Sequence, residues 1–202
     1  MSTSEPPQNS AATIPVIPVP AAPPEAISRL VTEFGRLFPV APSVPAPAPA
    51  GEAAAGAVPA PAPAPVPAPR QPGCLLADFA AKGYHLDVLV SFEQVVAAAN
   101  LLDREGFALD AITGVDWIAD KQMEVVYDYF HFTSPARVMV RARLPRENPE
   151  IQTISGVFAG ANWHERETHD FFGIKFAGHP NLIPILLPED ATFHPLKKDF
   201  VA

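Results

Sequence analysis

The chain has 202 residues, a formal net charge of −8 and 26 prolines. Its one cysteine, Cys74, excludes an internal disulfide framework and a cysteine-ligated iron–sulfur cluster, and an acidic balance without a basic stripe argues against nucleic acid as a partner. No apolar run approaches the ~20 residues that span a bilayer, and no basic residue precedes Arg29, which speaks against a signal or transit peptide; a soluble protein kept in a reducing cytoplasm is expected.

All but seven of the 26 prolines lie in residues 1–72, whereas nearly all of the net negative charge lies on the rest. That split sets a low-complexity arm, residues 1–72, before one folded domain of about 130 residues. Residues 1–24 and 39–72 carry runs such as PAPAPA and PAPAPAPVPAPR. Such runs favour extended polyproline-II conformations and bury little, so disorder is expected there. Between them, Ile27, Leu30, Val31, Phe34, Leu37 and Phe38 recur at one helical face, and Pro39 closes the pattern. This helix, about 25–38, is either the first helix of the fold or a tethered docking segment.

After Gly73, residues 75–82 (LLADFAAK) read as a short helix or turn, and residues 84–90 (YHLDVLV) as a strand. A helix follows over residues 92–105, with Ser91 as N-cap, Gln94 at N3 and Gly106 as stop. Its apolar face is Phe92, Val95, Val96, Ala99 and Leu102. Residues 107–120 (FALDAITGVDWIAD) read as a β segment and turn, with Asp116 as a turn-former or cap. Residues 123–132 alternate well enough for a strand, and Thr133-Ser134-Pro135 is a turn. In residues 137–144, Val138, Val140, Ala142 and Leu144 point inward while Arg141 and Arg143 point outward. Residues 149–158 are expected as a short helix. The order predicts an α+β domain over 73–177: a small mixed or antiparallel sheet with helices on one face.

The stretch from Ala161 to Phe200 holds four of the six histidines. Helix-forming residues 162–172 offer only Trp163, Phe171 and Phe172 as large apolar side chains, which are expected in the core. A helix that polar needs a partner surface or dense side-chain pairing. Glu165 with His169, and Arg166 with Asp170, stand at i, i+4 and are expected to pair along the helix. From Gly178 the chain is expected as an extended tail, 178–202. Pro180, Pro184, Pro188 and Pro195 each lack a donor and bias the preceding residue away from helix. An extended tail must satisfy its backbone groups on a surface or in water.

Candidate chemistry is sparse. His164-Glu165 and His169 evoke H-E-x-x-H, but the spacing here is i, i+5, which places the rings about 140° apart around a helix. Surface or interface histidines fit better than metal ligands. Gly156 and Gly160 do not make a dinucleotide loop, and neither a phosphate loop nor a G-x-S-x-G elbow is present. Glu165, His169 and Asp170 are the residues a free-standing hydrolase would have to use.

Four ordered blocks carry a resemblance: W-H-E-R-E-x-x-D-x-F-G-I from Trp163, G-H-P-N-L from Gly178, L-L-P-E-D from Leu186, and H-P-L-K-K-D-F ending at Phe200. With weaker matches from Leu75, including ITGVDW at 112–117, the chain resembles the 30-kDa subunit of respiratory complex I, NADH:quinone oxidoreductase. The same family includes the matching subunit of complex-I-like membrane-bound nickel–iron hydrogenases.

The resemblance implies the α+β fold and a non-catalytic structural subunit of the peripheral, cytoplasm-facing arm. The tail would embrace a subunit related to hydrogenase large subunits, with membrane contact only through the complex. It implies no cofactor, metal or catalytic residue in this chain; iron–sulfur clusters, with FMN or Ni-Fe, would sit in partner subunits. It makes Glu165, Arg166, Glu167, Asp170, Gly178, His179, Pro180, Pro195, Leu196, Lys197, Lys198 and Asp199 the candidate partner interface. Two departures keep the hydrogenase-type alternative open: Ile183-Pro184 stand where complex I forms tend to carry basic residues, and Lys197 replaces an arginine, losing its bidentate fork.

Overall fold

The computed structural model describes residues 24–38 and 72–201. The expected disorder of the Ala/Pro runs falls outside the described residues. Helix α1 (Glu25–Leu37) is followed by strand β1 (Gly73–Leu76), a single turn of helix α2 (Phe79–Lys82), strand β2 (Leu86–Val90), helix α3 (Val95–Arg104), and strands β3 (Phe107–Trp117), β4 (Gln122–His131) and β5 (Arg137–Pro145). Strand β6 (Glu150–Gln152), helix α4 (Ala161–Phe172) and strand β7 (Lys175–Ala177) complete the elements.

Five strands form one sheet in the order β1-β2-β5-β4-β3. Only the β2–β5 pair is parallel, so the sheet is mixed. On β5, Val138, Val140, Ala142 and Leu144 are all buried, as their alternation requires. They stand opposite Tyr129, Tyr127, Val125 and Met123 of β4. This face packs with Ile27, Leu30 and Phe34 of α1 and with Val95, Ala98, Ala99 and Leu102 of α3 in one apolar cluster. Helix α1 is therefore part of the core: Ile27 and Leu30 are 0% exposed.

The opposite face carries charged side chains, as a largely antiparallel sheet with one face on the core allows. Arg141 bonds Asp87 at 3.0 Å and lies 3.7 Å from Glu124; Arg137 is held by Asp128 and Asp110. Asp110 occupies the bulge between Leu109 and Ala111, where β3 slips its register against β4. Charges of opposite sign alternate across this face and satisfy one another.

Several elements differ from expectation. Residues 75–82 divide into the edge strand β1 and the one-turn α2, with Asp78 capping by accepting from the Ala80 N–H. Ser91 and Gln94 do form the capping box, but over a 3-10 turn that leaves Phe92 exposed and starts α3 at Val95. Residues 149–158 are not a helix. Glu150–Gln152 pairs in parallel with β7, Ile151 facing Phe176, and turns follow. Burial of Ile151 against a strand more than twenty residues downstream overrides the weak local helix preference. Trp163 is not core; it is 61% exposed, with the Arg166 guanidinium 5.1 Å from its ring centre.

Candidate partner interface

Helix α4 is polar by composition, yet Glu165, Arg166, Thr168 and Asp170 are buried. No pair along the helix explains this. The expected i, i+4 partnerships do not form; each side chain instead reaches another segment. Glu165 accepts hydrogen bonds from the Ile154 N–H at 2.8 Å and from the Thr153 hydroxyl. Arg166 donates from Nε to the Ile183 carbonyl at 3.0 Å and from Nη2 to the Pro184 carbonyl at 3.2 Å. Asp170 Oδ2 accepts the backbone N–H groups of Ile185, Leu186 and Leu187 at 2.8, 2.8 and 3.3 Å. The polar stripe of α4 thus supplies the backbone partners that the proline-broken tail cannot find within itself.

The helix sits close to the sheet because Gly114 of β3 has no side chain: a Cβ there would lie 2.5 Å from the Phe172 ring. It ends at Gly173, whose φ of +73° a glycine adopts without strain, and a Cβ there would meet the His194 ring at 2.6 Å. The His194 Nδ1 hydrogen-bonds the Asp170 carbonyl at 2.8 Å, and the Leu196 N–H donates to the Phe171 carbonyl at 3.1 Å. These contacts bring the tail back across the end of α4.

A second pin holds the last residues. Asp116, buried at the end of β3, accepts from Arg146 Nε and Nη2 at 2.8 and 2.9 Å and from the Lys198 N–H at 2.8 Å. Arg146 also reaches Asp199 at 2.5 Å. Asp116 is therefore a strut for the chain end and not a turn residue. Nothing in the sequence ties Arg146 to Asp199, 53 residues on.

The electrostatics follow. The Arg146 guanidinium beside Asp116 holds its carboxyl below the usual range. Burial works against ionising Asp170, but the three N–H donors outweigh it and the carboxyl also lies low. Glu165 goes the other way: burial dominates its two hydrogen bonds and pushes it up to about 7.

Of the twelve interface candidates, Glu165, Arg166 and Asp170 face inward and bind this chain's own tail and turns. His179 is also enclosed, bonded to the Asn162 carbonyl at 3.2 Å and to the Asn181 N–H at 3.0 Å. Pro195 and Lys197 are half-buried. Glu167, Gly178, Pro180, Leu196, Lys198 and Asp199 lie on the surface. The exposed large apolar side chains of this region are Trp163, Ile183, Leu186, Phe193, Leu196, Phe200 and Val201, with Leu186 59% exposed. Phe193 and Phe200 stack with ring centres 5.7 Å apart. Carboxylates and Arg166 fasten the tail from beneath while its apolar side chains stand outward.

Among the described residues, no three His, Cys, Asp or Glu side chains gather as a metal set. His169 turns its Nδ1 to the Ile174 carbonyl at 2.9 Å, away from a shared site with His164. Among the described residues, no helix is long and apolar enough to cross a membrane.

The C subunit of the NADH-quinone oxidoreductase of Roseiflexus sp. is 40% identical over 134 residues, covering 63% of this chain and 76% of that protein. The C subunit of the F(420)H(2) dehydrogenase of Methanosarcina mazei is 42% identical over 93 residues, covering 46% of this chain and 59% of its own length. Among solved structures, a chain of the membrane-bound sulfane sulfur reductase, an archaeal respiratory membrane complex, superposes with a TM-score of 0.54 and 26% identity, covering 57% of this chain and 71% of that one. The family model for the 30 Kd subunit of the respiratory-chain NADH dehydrogenase matches residues 88–202, which include the strands from β3 onward, α4 and both pins of the tail, and the chain belongs to that family.

Proposed function

We propose that this chain is a non-catalytic structural subunit of the peripheral arm of a complex-I-like NADH:quinone oxidoreductase. In this role it supports electron transfer to quinone coupled to ion translocation. The observation that carries the reading is the outward apolar side of a tail pinned from beneath by Asp170 and Asp116. A free protein has no evident use for this many large apolar side chains, Trp163 on α4 and Ile183, Leu186, Leu196 and Phe200 on the tail, left exposed. The surface suits a partner subunit, for which the relation to hydrogenase large subunits is the working identity. The chain holds no cofactor in this reading; iron–sulfur clusters and flavin belong to its partners, and it meets the membrane only through them.

A second reading keeps the scaffold and changes the electron donor. Relatives named as part of an F(420)H(2) dehydrogenase and of a sulfane sulfur reductase favour it. The nickel–iron hydrogenase form belongs to the same alternative. One experiment separates these. The tagged full chain is purified from native membranes in mild detergent, and the co-purifying subunits are identified by mass spectrometry. NADH- and flavin-binding subunits support the first reading. A large subunit with nickel-ligating cysteine pairs supports the hydrogenase form. Recovery of the chain alone from intact membranes contradicts both.

A further inference from the structure

Glu165 is 0% exposed, and among the described residues no arginine or lysine forms an ion pair with it. The groups that face it come from four segments. From the turn after β6, Thr153 and the Ile154 N–H bind its two oxygens. From β4, the buried phenols of Tyr127 and Tyr129 lie within its field. From the tail, His179 Nε2 stands 3.9 Å from Oε2. On α4 itself, Arg166 and Asp170 are engaged with residues 183–187. His179 does not supply a counter-charge: its Nδ1 accepts from the Asn181 N–H, which leaves Nε2 as the protonated nitrogen of a neutral ring directed at the Asn162 carbonyl.

The hydroxyls beside Glu165 can serve either state of the carboxyl. Thr153 Oγ1 lies 2.8 Å from Ser155 Oγ and also accepts the Ser155 N–H at 3.1 Å. With Glu165 ionised, Thr153 donates its hydroxyl proton to Oε2 and accepts from Ser155. With Glu165 protonated, Oε2–H donates to Thr153, and Thr153 donates onward to Ser155. No buried group loses its partner in either arrangement, and Ser155 is half-exposed, so the chain of hydroxyls ends at water.

We propose that Glu165 is a reversible proton-binding site, exchanging its proton with solvent through Thr153 and Ser155, set beneath the start of the C-terminal tail at His179. The ligand is the proton itself. On release it passes from Oε2 to Thr153 Oγ1 as the Thr153 proton moves to Ser155, and a proton leaves Ser155 to water; uptake is the reverse. Burial places the midpoint near neutrality, at about 7. The site adds charge control to α4 and does not depend on which complex the subunit joins.

The test is a carbon-13 NMR titration of the full chain labelled at the glutamate carboxyls, from about pH 5 to about pH 9. One glutamate carboxyl, that of Glu165, should titrate near 7. Glu165→Gln should remove that resonance, because it leaves no carboxyl to titrate, while its amide can still donate to Thr153 as the protonated acid would. Thr153→Val should raise the midpoint, since the ionised form loses a donor. If Glu165→Gln does not fold, the wild-type curve with Thr153→Val still decides the matter. A wild-type chain in which every glutamate has titrated by about pH 5.5 would overturn the proposal, as would a near-neutral midpoint that Thr153→Val leaves unmoved.

Discussion

At the scale of single residues, the informative feature is that α4 spends its polar side chains inward. A buried carboxylate is stable only when donors surround it, and Asp170 and Asp116 each receive three hydrogen bonds. Asp116→Asn keeps the shape but gives up the charge-assisted contacts with Arg146. It should cost ~1.5–3 kcal/mol at neutral pH. The pH dependence has a definite sign. Because the folded carboxyl titrates below its unfolded value, its contribution is present above the unfolded range, ~3.9, and is lost as pH falls through the folded value. Denaturant melts of wild type and Asp116→Asn should therefore differ at neutral pH and converge in acid. A gap that stays constant down to the lowest pH at which the chain folds would mean the pair with Arg146 contributes nothing through charge.

Asp170→Ala tests the other pin. It leaves the N–H groups of residues 185–187 without their acceptor. By amide hydrogen exchange, those three amides should lose about tenfold or more in protection, which is what ~1.4 kcal/mol or more of local stability corresponds to. The β4 and β5 amides, which report global opening, should change far less. Equal loss across the sheet would show Asp170 to be a determinant of the whole fold and not of the tail.

At the scale of elements, α1 is decided by its burial. Leu30→Ala removes a fully enclosed side chain shared with α3 and the sheet, and should cost ~2–5 kcal/mol in the full chain. A tethered docking helix would show almost no change. Gly173→Ala tests the turn that sends the tail back over α4. The left-handed backbone there costs ~1–2 kcal/mol for an alanine, and the new methyl would also displace His194 from the Asp170 carbonyl. The thermal midpoint and the protection around residue 194 should fall together.

The same scale shows what the sequence could disclose. Strands β4 and β5 were legible because one buried face imposes strict alternation, and α1 because its apolar residues recur on one helical face. The capping box at Ser91 and Gln94 is a local device and was read locally. Strands β1, β6 and β7 are three or four residues long, too short for periodicity to separate strand from turn. On α4, i, i+4 spacing suggested helix-surface pairs. The side-chain hydrogen-bond partners of Glu165, Arg166 and Asp170 lie 11 to 18 residues along the chain, and such links leave no local pattern. Arg146 escaped for the same reason. Trp163 escaped because a tryptophan in a polar helix reads as core until the tail is seen to occupy the place beside it.

For the whole molecule, the sheet's charged face and the tail's apolar face are different kinds of surface. On the first, Arg137, Arg141 and Arg143 are matched by carboxylates from β2, β3 and β4, so it has little left to offer a partner. On the second, aromatic and aliphatic side chains stand on a backbone that the chain itself has already ordered, which lowers the entropic cost of docking. Large exposed aromatics beside such a fixed backbone are where binding energy concentrates. The central claim is that this outer side of α4 and the tail is the surface by which the subunit is held in its complex. Its most direct test is a full chain carrying Trp163→Ser, Leu186→Ser and Leu196→Ser together, all at exposed positions; Leu186 meets Asp170 only through its backbone N–H, which a serine keeps. The purified variant should keep the wild-type thermal midpoint. Its recovery with the other subunits from native membranes should fall about tenfold or more, with quinone-linked electron transfer falling in parallel. A variant that folds as wild type and still assembles at the wild-type level would contradict the claim.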